Sequence, residues 1–182
     1  MERNLALIAL FAALIAMLGL MPPINLMAGV PITAQSLGVM LAGTVLGSRR
    51  GFLAVLLVLV LVVMGLPLLA GGHGGLGVFA GPTVGFLIGF PISAFVTGWI
   101  VEHWRAPIAV SAFVASLVGG VVVLYAFGAC GMALYFSATM PEALLMTTPF
   151  LIGDIIKAVL AALITRELYR LRPSVVLSRY SD

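Results

Sequence analysis

The stretch PFLIGDIIKAVLAALI, residues Pro149 to Ile164, sets an aspartate and a lysine three positions apart inside what is otherwise hydrocarbon. A charge at mid-bilayer costs about 2.5–3.5 kcal/mol even on the lenient translocon scale, so neither group can face lipid alone. Helical spacing gives them a common side. Asp154, Lys157, Ala158, Ala161, Ala162 and Thr165 recur at i, i+3, i+4, i+7, i+8 and i+11, opposite Ile155, Ile156, Val159, Leu160, Leu163 and Ile164. One face is small and polar and the other resembles lipid, so the segment reads as a membrane helix whose polar face meets protein.

The rest of the chain agrees. Of 182 residues, 63% are hydrophobic and 8% charged, and mean hydropathy is +1.26. Soluble domains run at roughly 45–50% apolar and about 25% charged, and this chain has too few polar residues to cover a soluble surface. The expected fold class is therefore an all-α integral membrane protein, one domain over residues 1–182. A bilayer core needs roughly 20 apolar residues per helix. With charges and turn residues as punctuation, six transmembrane helices are expected near residues 4–21, 32–47, 51–70, 83–101, 107–136 and 150–165. The first has one Arg before its apolar run but no clean cleavage site followed by a polar chain, and is expected to stay as a helix. The fifth is long and interrupted by Gly119, Gly120, Gly128 and Gly131, so it is expected to tilt, or to end near Phe127 with an outer segment after it.

Charge orients the spans. Arg3, Arg49, Arg50, Arg105, Arg166, Arg170, Arg172 and Arg179 are eight of the nine basic residues, and alternating spans put them all at one end. The positive-inside bias makes that end cytoplasmic, with both termini there and the chain a multi-pass protein of the cell membrane. Residues 166–182 read as a basic, solvated cytoplasmic tail, with contact to anionic headgroups of membrane lipid or a cytoplasmic partner as the other reading. The net charge of +3 is this bias and calls for no nucleic acid. Cys130 is the single cysteine and reads as a small hydrophobe.

The ninth basic residue, Lys157, then lies with Asp154 roughly 6–12 Å below the outer end of the sixth span. The pair either cancels itself structurally or lines an outward cavity for a polar solute. Other outer ends carry polar groups at comparable depth: Thr33, Gln35 and Ser36 on the second span and Thr83 on the fourth, which together imply one pocket. The connection Leu66–Pro91 holds five glycines between Gly71 and Gly77, long and loose enough for a lid, followed by Gly81, Gly85 and Gly89 at four-residue spacing. That spacing offers a groove for another helix or for a ligand ring. His73 is expected to face solvent. With no Cys or carboxylate at ligand spacing around His73 or His103, no metal is expected. Neither a phosphate-cradling GxxxxGK[ST] loop nor a GxSxG nucleophile motif occurs, so the chain is read as a non-enzyme. On the first span, Ala9 and Ala13 overlap with Ala12 and Ala16 as small-xxx-small pairs, facing a neighbouring helix or another subunit, a second copy included.

At VPITAQSLGVMLAGTVLG (Val30–Gly47), GLPLLAGG (Gly65–Gly72), GPTVGFLIGFP (Gly81–Pro91) and the 149–164 stretch, the sequence resembles the BioY family, the biotin-specific substrate-binding (S) components of energy-coupling-factor (ECF) transporters. The resemblance runs over nearly the whole chain. It implies a six-helix S-component-like bundle that captures biotin from outside without a cofactor and passes it on with a transmembrane coupling subunit and two cytoplasmic ABC-type ATPases. By the same resemblance, the alanines of the first helix would contact the coupling subunit, and the GDIIK motif brings Asp154 and Lys157 to the ligand. Two departures stand out: Val84 where members often carry a second glycine, and LVLVLVVMGLP (Leu57–Pro67), which lacks the tyrosine that members often carry there. Gln35 is the candidate for a further polar pocket residue. Biotin's ureido N–H groups would find Asp154, and its carboxylate Lys157, with Thr83, Gly81, Phe79 and Phe86 around the bicycle; the reverse placement puts Lys157 on the ureido oxygen. The competing readings are an ion-coupled carrier for a small anion and an S component for another vitamin.

Overall fold

The structure is a computed structural model that describes residues 2–22, 24–25 and 31–179. Its helices are α1 (Glu2–Leu20), α2 (Gln35–Leu41), α3 (Ser48–Val63), α4 (Val84–His103), α5 (Ile108–Leu117), α6 (Leu124–Phe136), α7 (Met140–Thr147) and α8 (Leu151–Leu171). They make six rods. A π-helical segment, Ala42–Leu46, extends α2; another, Val118–Val123, joins α5 to α6; and a 3-10 turn, Thr148–Phe150, joins α7 to α8. Glu2–Leu20, Val84–His103, Ile108–Phe136 and Met140–Leu171 are long and apolar enough to cross a bilayer. The α2 and α3 rods are shorter. Between α1 and α2, the two-residue strands β1 (Ile24–Asn25) and β2 (Pro31–Ile32) pair antiparallel.

Several boundaries depart from expectation, each for a local reason. The third helix ends at Val63, not near residue 70, and the tract up to Thr83 is connection. Gly65 takes φ +103° there; its N–H reaches the Val62 carbonyl (2.9 Å) and the Leu66 N–H reaches Leu61 (3.1 Å), the Schellman closure of a helix. The same helix begins at Ser48, so the Ser-Arg-Arg sequence is its first turn and Gly47, at φ +88°, is the whole connection to the second rod. Ile32 belongs to β2, and helix starts only at Gln35. The fifth rod is one continuous helix that does not end near Phe127: the π-helical segment at Val118–Val123 keeps the backbone hydrogen-bonded through the Gly119–Gly120 step. The last rod starts ahead of the expected residue 150, through α7, and continues past residue 165 to Leu171.

Around α4, small residues set the packing. A side chain at Gly85 would collide with the Phe127 carbonyl, and one at Gly89 would meet the Phe127 side chain 2.9 Å away, so the four-residue glycine repeat serves the α4–α6 crossing at these two positions. Hydroxyls tie the cytoplasmic half together. Thr44 and Thr165 share a 2.8 Å hydrogen bond between the α2 rod and α8, both fully buried. Glu102 of α4 accepts the Ser48 N–H (2.8 Å) and hydroxyl (2.7 Å), placing a carboxylate at the positive N-terminus of α3.

Within residues 166–179 the chain is not a free solvated tail. Residues 166–171 complete α8, and Val176, Leu177 and Ser178 are buried against the cytoplasmic ends of the bundle. Ser178 Oγ donates to the Thr44 carbonyl (2.5 Å), and Arg179 donates to Ala106 O (2.7 Å) and Ser111 Oγ (2.5 Å). Arg3 of α1 donates to Ser174 O at 2.9 Å, which puts the N- and C-terminal arginines at one end of the molecule. The backbone turns at Pro173, and the apolar Val-Val-Leu sequence then finds the gap below the Thr44 turn. Leu177→Ala is expected to lower stability by about 2–4 kcal/mol, seen as a lower thermal midpoint in detergent; an unchanged midpoint would mean that the segment rests on the bundle without supporting it.

Candidate functional site

A cavity of about 620 Å³ opens at the end of the bundle opposite the arginines. Polar side chains from three rods reach it: Thr33, Gln35 and Ser36 at the start of α2, Thr83 before α4, and Asp154 and Lys157 on α8. Its walls are apolar, with Leu87 and Phe90 of α4 below Phe86, Leu124 of α6, and Phe150 at the turn before α8. The Phe86 and Phe150 rings meet edge to face, centroids 6.1 Å apart. Gly71, His73 and Gly77 of the glycine-rich connection are solvent-exposed and form the rim.

Helical geometry explains why Asp154 and Lys157 meet. One turn apart on α8, they approach to 2.8 Å, Lys157 Nζ donating to Asp154 Oδ1. Ser36, carried in by the first turn of α2, closes a triangle: its hydroxyl accepts from Lys157 Nζ (3.0 Å) and donates to Asp154 Oδ1 (3.0 Å). Tyr125 Oη donates to the other carboxylate oxygen, Oδ2, at 2.8 Å. Asp154 is only 5% exposed, so this network is what allows a carboxylate to sit there. Its charge is matched at contact distance and both oxygens are occupied. Among the described residues, Lys157 Nζ donates to these two partners, two of its three N–H bonds.

The pair thus neutralises itself and also lines the cavity. Of the other expected site residues, Gln35, Thr83, Gly81 and Phe86 line the cavity and Phe79 does not. Phe79 lies in the 3-10 turn Leu76–Ala80 and packs against the core, while its neighbour Val78 faces the cavity. Gln35 has a structural duty as well, since its Nε2 donates to the Leu68 carbonyl at 3.1 Å and so fastens the glycine-rich connection to α2. Gly81 is open to the cavity, unlike Gly85 and Gly89. His73 is exposed as expected and is also part of the rim. On α1 the alanines divide, Ala9 and Ala13 facing outward and Ala12 inward, with Ala16 half-buried.

Residues 2–174 match the protein family described as the BioY family. The chain belongs to that family. It is 53% identical to the "Biotin transporter BioY" of Rhodobacter capsulatus, over 98% of this chain and all of that one. It is 54% identical to the "Biotin transporter BioY" of Rhizobium etli, over 90% of this chain and 91% of that one. Among solved structures it is similar to the "S-component for biotin from an ECF-type ABC transporter", with TM-score 0.88, 31% identity, and 93% and 92% of the two chains covered. The all-helical six-rod bundle of this BioY-family chain therefore has an experimentally observed counterpart.

Sequence reasoning did not find Tyr125 or Phe150. Both lie in apolar runs where an aromatic ring reads as lipid-facing, and only the packing of the fifth rod against α8, made mainly by α5, brings the Tyr125 hydroxyl to Asp154. The one available signal was that a buried phenol needs a polar partner. Gln35→Ala is expected to speed amide hydrogen exchange across residues 66–75 by about tenfold, the scale of one net hydrogen bond. Unchanged exchange would assign the hold on this connection to its backbone bonds with α3, such as Gly75 N–H to Val62 O (2.7 Å), and to the buried Leu69.

Proposed function

We propose that this BioY-family chain is the substrate-specific subunit of an ECF-type transporter that captures biotin from outside the cytoplasmic membrane and brings it into uptake. The relatives from Rhodobacter capsulatus and Rhizobium etli are named biotin transporters, and the similar solved structure is an S-component for biotin. The observation that carries the ligand is the contact pair Asp154–Lys157 at the polar end of a cavity with aromatic walls. Its volume lies within the roughly 300–1,000 Å³ typical of small-molecule sites.

The geometry favours one orientation. Because the ammonium and the carboxylate touch, a ligand carboxylate brought to Lys157 would also meet the charge of Asp154. A ureido group avoids this repulsion, since its carbonyl accepts while the adjacent N–H groups donate. Lys157 then donates its remaining N–H to the ureido oxygen, Asp154 Oδ2 or Ser36 Oγ accepts a ureido N–H, and the bicycle lies against Phe86, Phe90 and Phe150. The valerate carboxylate points to the rim, where Thr83, His73 and loop N–H groups can meet it. Capture in this form needs no cofactor and no chemical step. An ion-coupled mechanism fits less well, because Asp154 is already charge-matched and bonded through both oxygens.

Passage inward falls to partners, a transmembrane coupling subunit and ABC-type ATPases that supply the energy. The outward face of α1 suits the coupling subunit: Ala9 and Ala13 are exposed there beside Leu10 and Met17, 62% and 68% exposed, leaving a shallow track into which another helix can fit. Ala12, which is buried, serves the bundle itself.

Equilibrium binding to the purified protein in detergent tests the ligand and its orientation together. Lys157→Ala is expected to weaken biotin by between about 10-fold and 150-fold, the range of a hydrogen bond to a charged group. Wild type is expected to hold the neutral amide of biotin about as tightly as biotin itself. Equal losses from Lys157→Ala and from amidation would instead place the carboxylate on Lys157, and a wild type indifferent to biotin would overturn the substrate. Ala13→Trp should leave binding intact and abolish co-purification with the coupling subunit; an intact complex would move the contact off α1.

A further inference from the structure

Tyr125 lies outside the cavity, yet its hydroxyl is bound to the carboxylate that faces it. The ring is 9% exposed on α6 and is not among the residues lining the cavity. Its Oη donates at 2.8 Å to Asp154 Oδ2, the oxygen that neither Lys157 nor Ser36 touches. We propose that Tyr125 is a positioning residue for ligand capture: by holding Oδ2 it fixes the plane of the Asp154 carboxylate, and through Oδ1 and Ser36 it fixes the Lys157 ammonium. The proposal rests on the biotin reading above.

Both charged side chains carry freedom that has to be removed. An aspartate carboxylate turns in a broad, roughly two-fold well about its last torsion, and lysine carries its ammonium on a flexible four-carbon stem. Neither group keeps a defined direction by its own stereochemistry. Lys157 Nζ is held at Asp154 Oδ1 and Ser36 Oγ, both within 3.0 Å, and its side chain is 14% exposed. Two contacts define where the third N–H points only if Oδ1 stays in place, and rotation of the carboxylate carries Oδ1 away from Ser36. A donor at Oδ2, rooted in a different helix, opposes that rotation. The network thus spans three rods: Ser36 from α2, Tyr125 from α6, and the pair itself from α8. Tyr125 gives the ligand no contact of its own; its effect is to present a donor and an acceptor to the ligand as one preorganised unit.

Tyr125→Phe keeps the buried ring and removes the hydroxyl, so the bundle is retained, which a thermal scan verifies. Biotin affinity of the purified protein is expected to fall about tenfold. A double-mutant cycle separates positioning from general support of the fold. If Tyr125 acts through Asp154, adding Tyr125→Phe to Asp154→Asn lowers affinity by less than about twofold, because the group it aligns no longer holds the ammonium by charge. A parallel cycle with Ser36→Ala, the partner on the other oxygen, gives the decision if Asp154→Asn binds too weakly to titrate, and there too the added loss is smaller than in wild type. Wild-type affinity in Tyr125→Phe overturns the proposal, as does the same tenfold loss in both backgrounds. Either result leaves the biotin reading standing, whereas a wild type that does not bind biotin overturns that reading and, with it, the ligand that Tyr125 is proposed to serve.

Discussion

Two opposite charges inside a hydrocarbon layer must meet each other, and most of the outer half of this molecule follows from that. Left alone, Asp154 or Lys157 would each be costly at that depth, and one helical turn lets them touch. Contact between them is not enough, because a carboxylate has more acceptor capacity than one ammonium fills. The hydroxyls of Ser36 and Tyr125 supply the rest, and in doing so they link the second and fifth rods to α8. A buried ion pair can often be replaced by apolar residues without loss of stability. Here the pair both joins three rods and lines a cavity of about 620 Å³.

The two ends of the bundle are built differently. At the cytoplasmic end, side chains close the structure: Glu102 on the first turn of α3, Thr44 on Thr165, and the C-terminal segment fastened by Ser178 and Arg179. Hydroxyls and glycines do this because lipid gives helices no hydrophobic reason to associate, and close backbone approach with interhelical hydrogen bonds takes that place. At the outer end, the glycine-rich connection is held by Gln35 on Leu68, by Gly75 on Val62 and by Leu69 buried in the core. Closure at one end and an open cavity at the other suit a protein that receives a solute from one side.

Much of the fold was legible in the sequence because membrane helices must satisfy their backbone internally and match the bilayer in length. That physics is local, so hydropathy shows the six rods and the arginines show their alternation. Boundaries were less legible. Gly65 and Pro67 sit in an apolar run that hydropathy carries on to Ala70, and only the left-handed turn at Gly65 ends the helix. Val176 and Leu177 looked like part of a solvated tail because no local rule says that a cavity between helix ends will accept them.

The sequence by itself determined that Asp154 and Lys157 share a helical face in the outer membrane half, since spacing and charge cost are properties of one segment. It likewise placed Thr33, Gln35, Ser36 and Thr83 at the outer ends of their rods. Tertiary structure alone decided which of these side chains join: Ser36 enters the ion pair, Gln35 turns to the Leu68 carbonyl, Tyr125 arrives from a rod that reads as plain hydrocarbon, and Phe79 turns away in favour of Val78. The reason is rotational. A helix of known span can present any of its faces to its neighbours, and that choice depends on how glycines and hydroxyls from several rods fit at once, a condition no single segment contains.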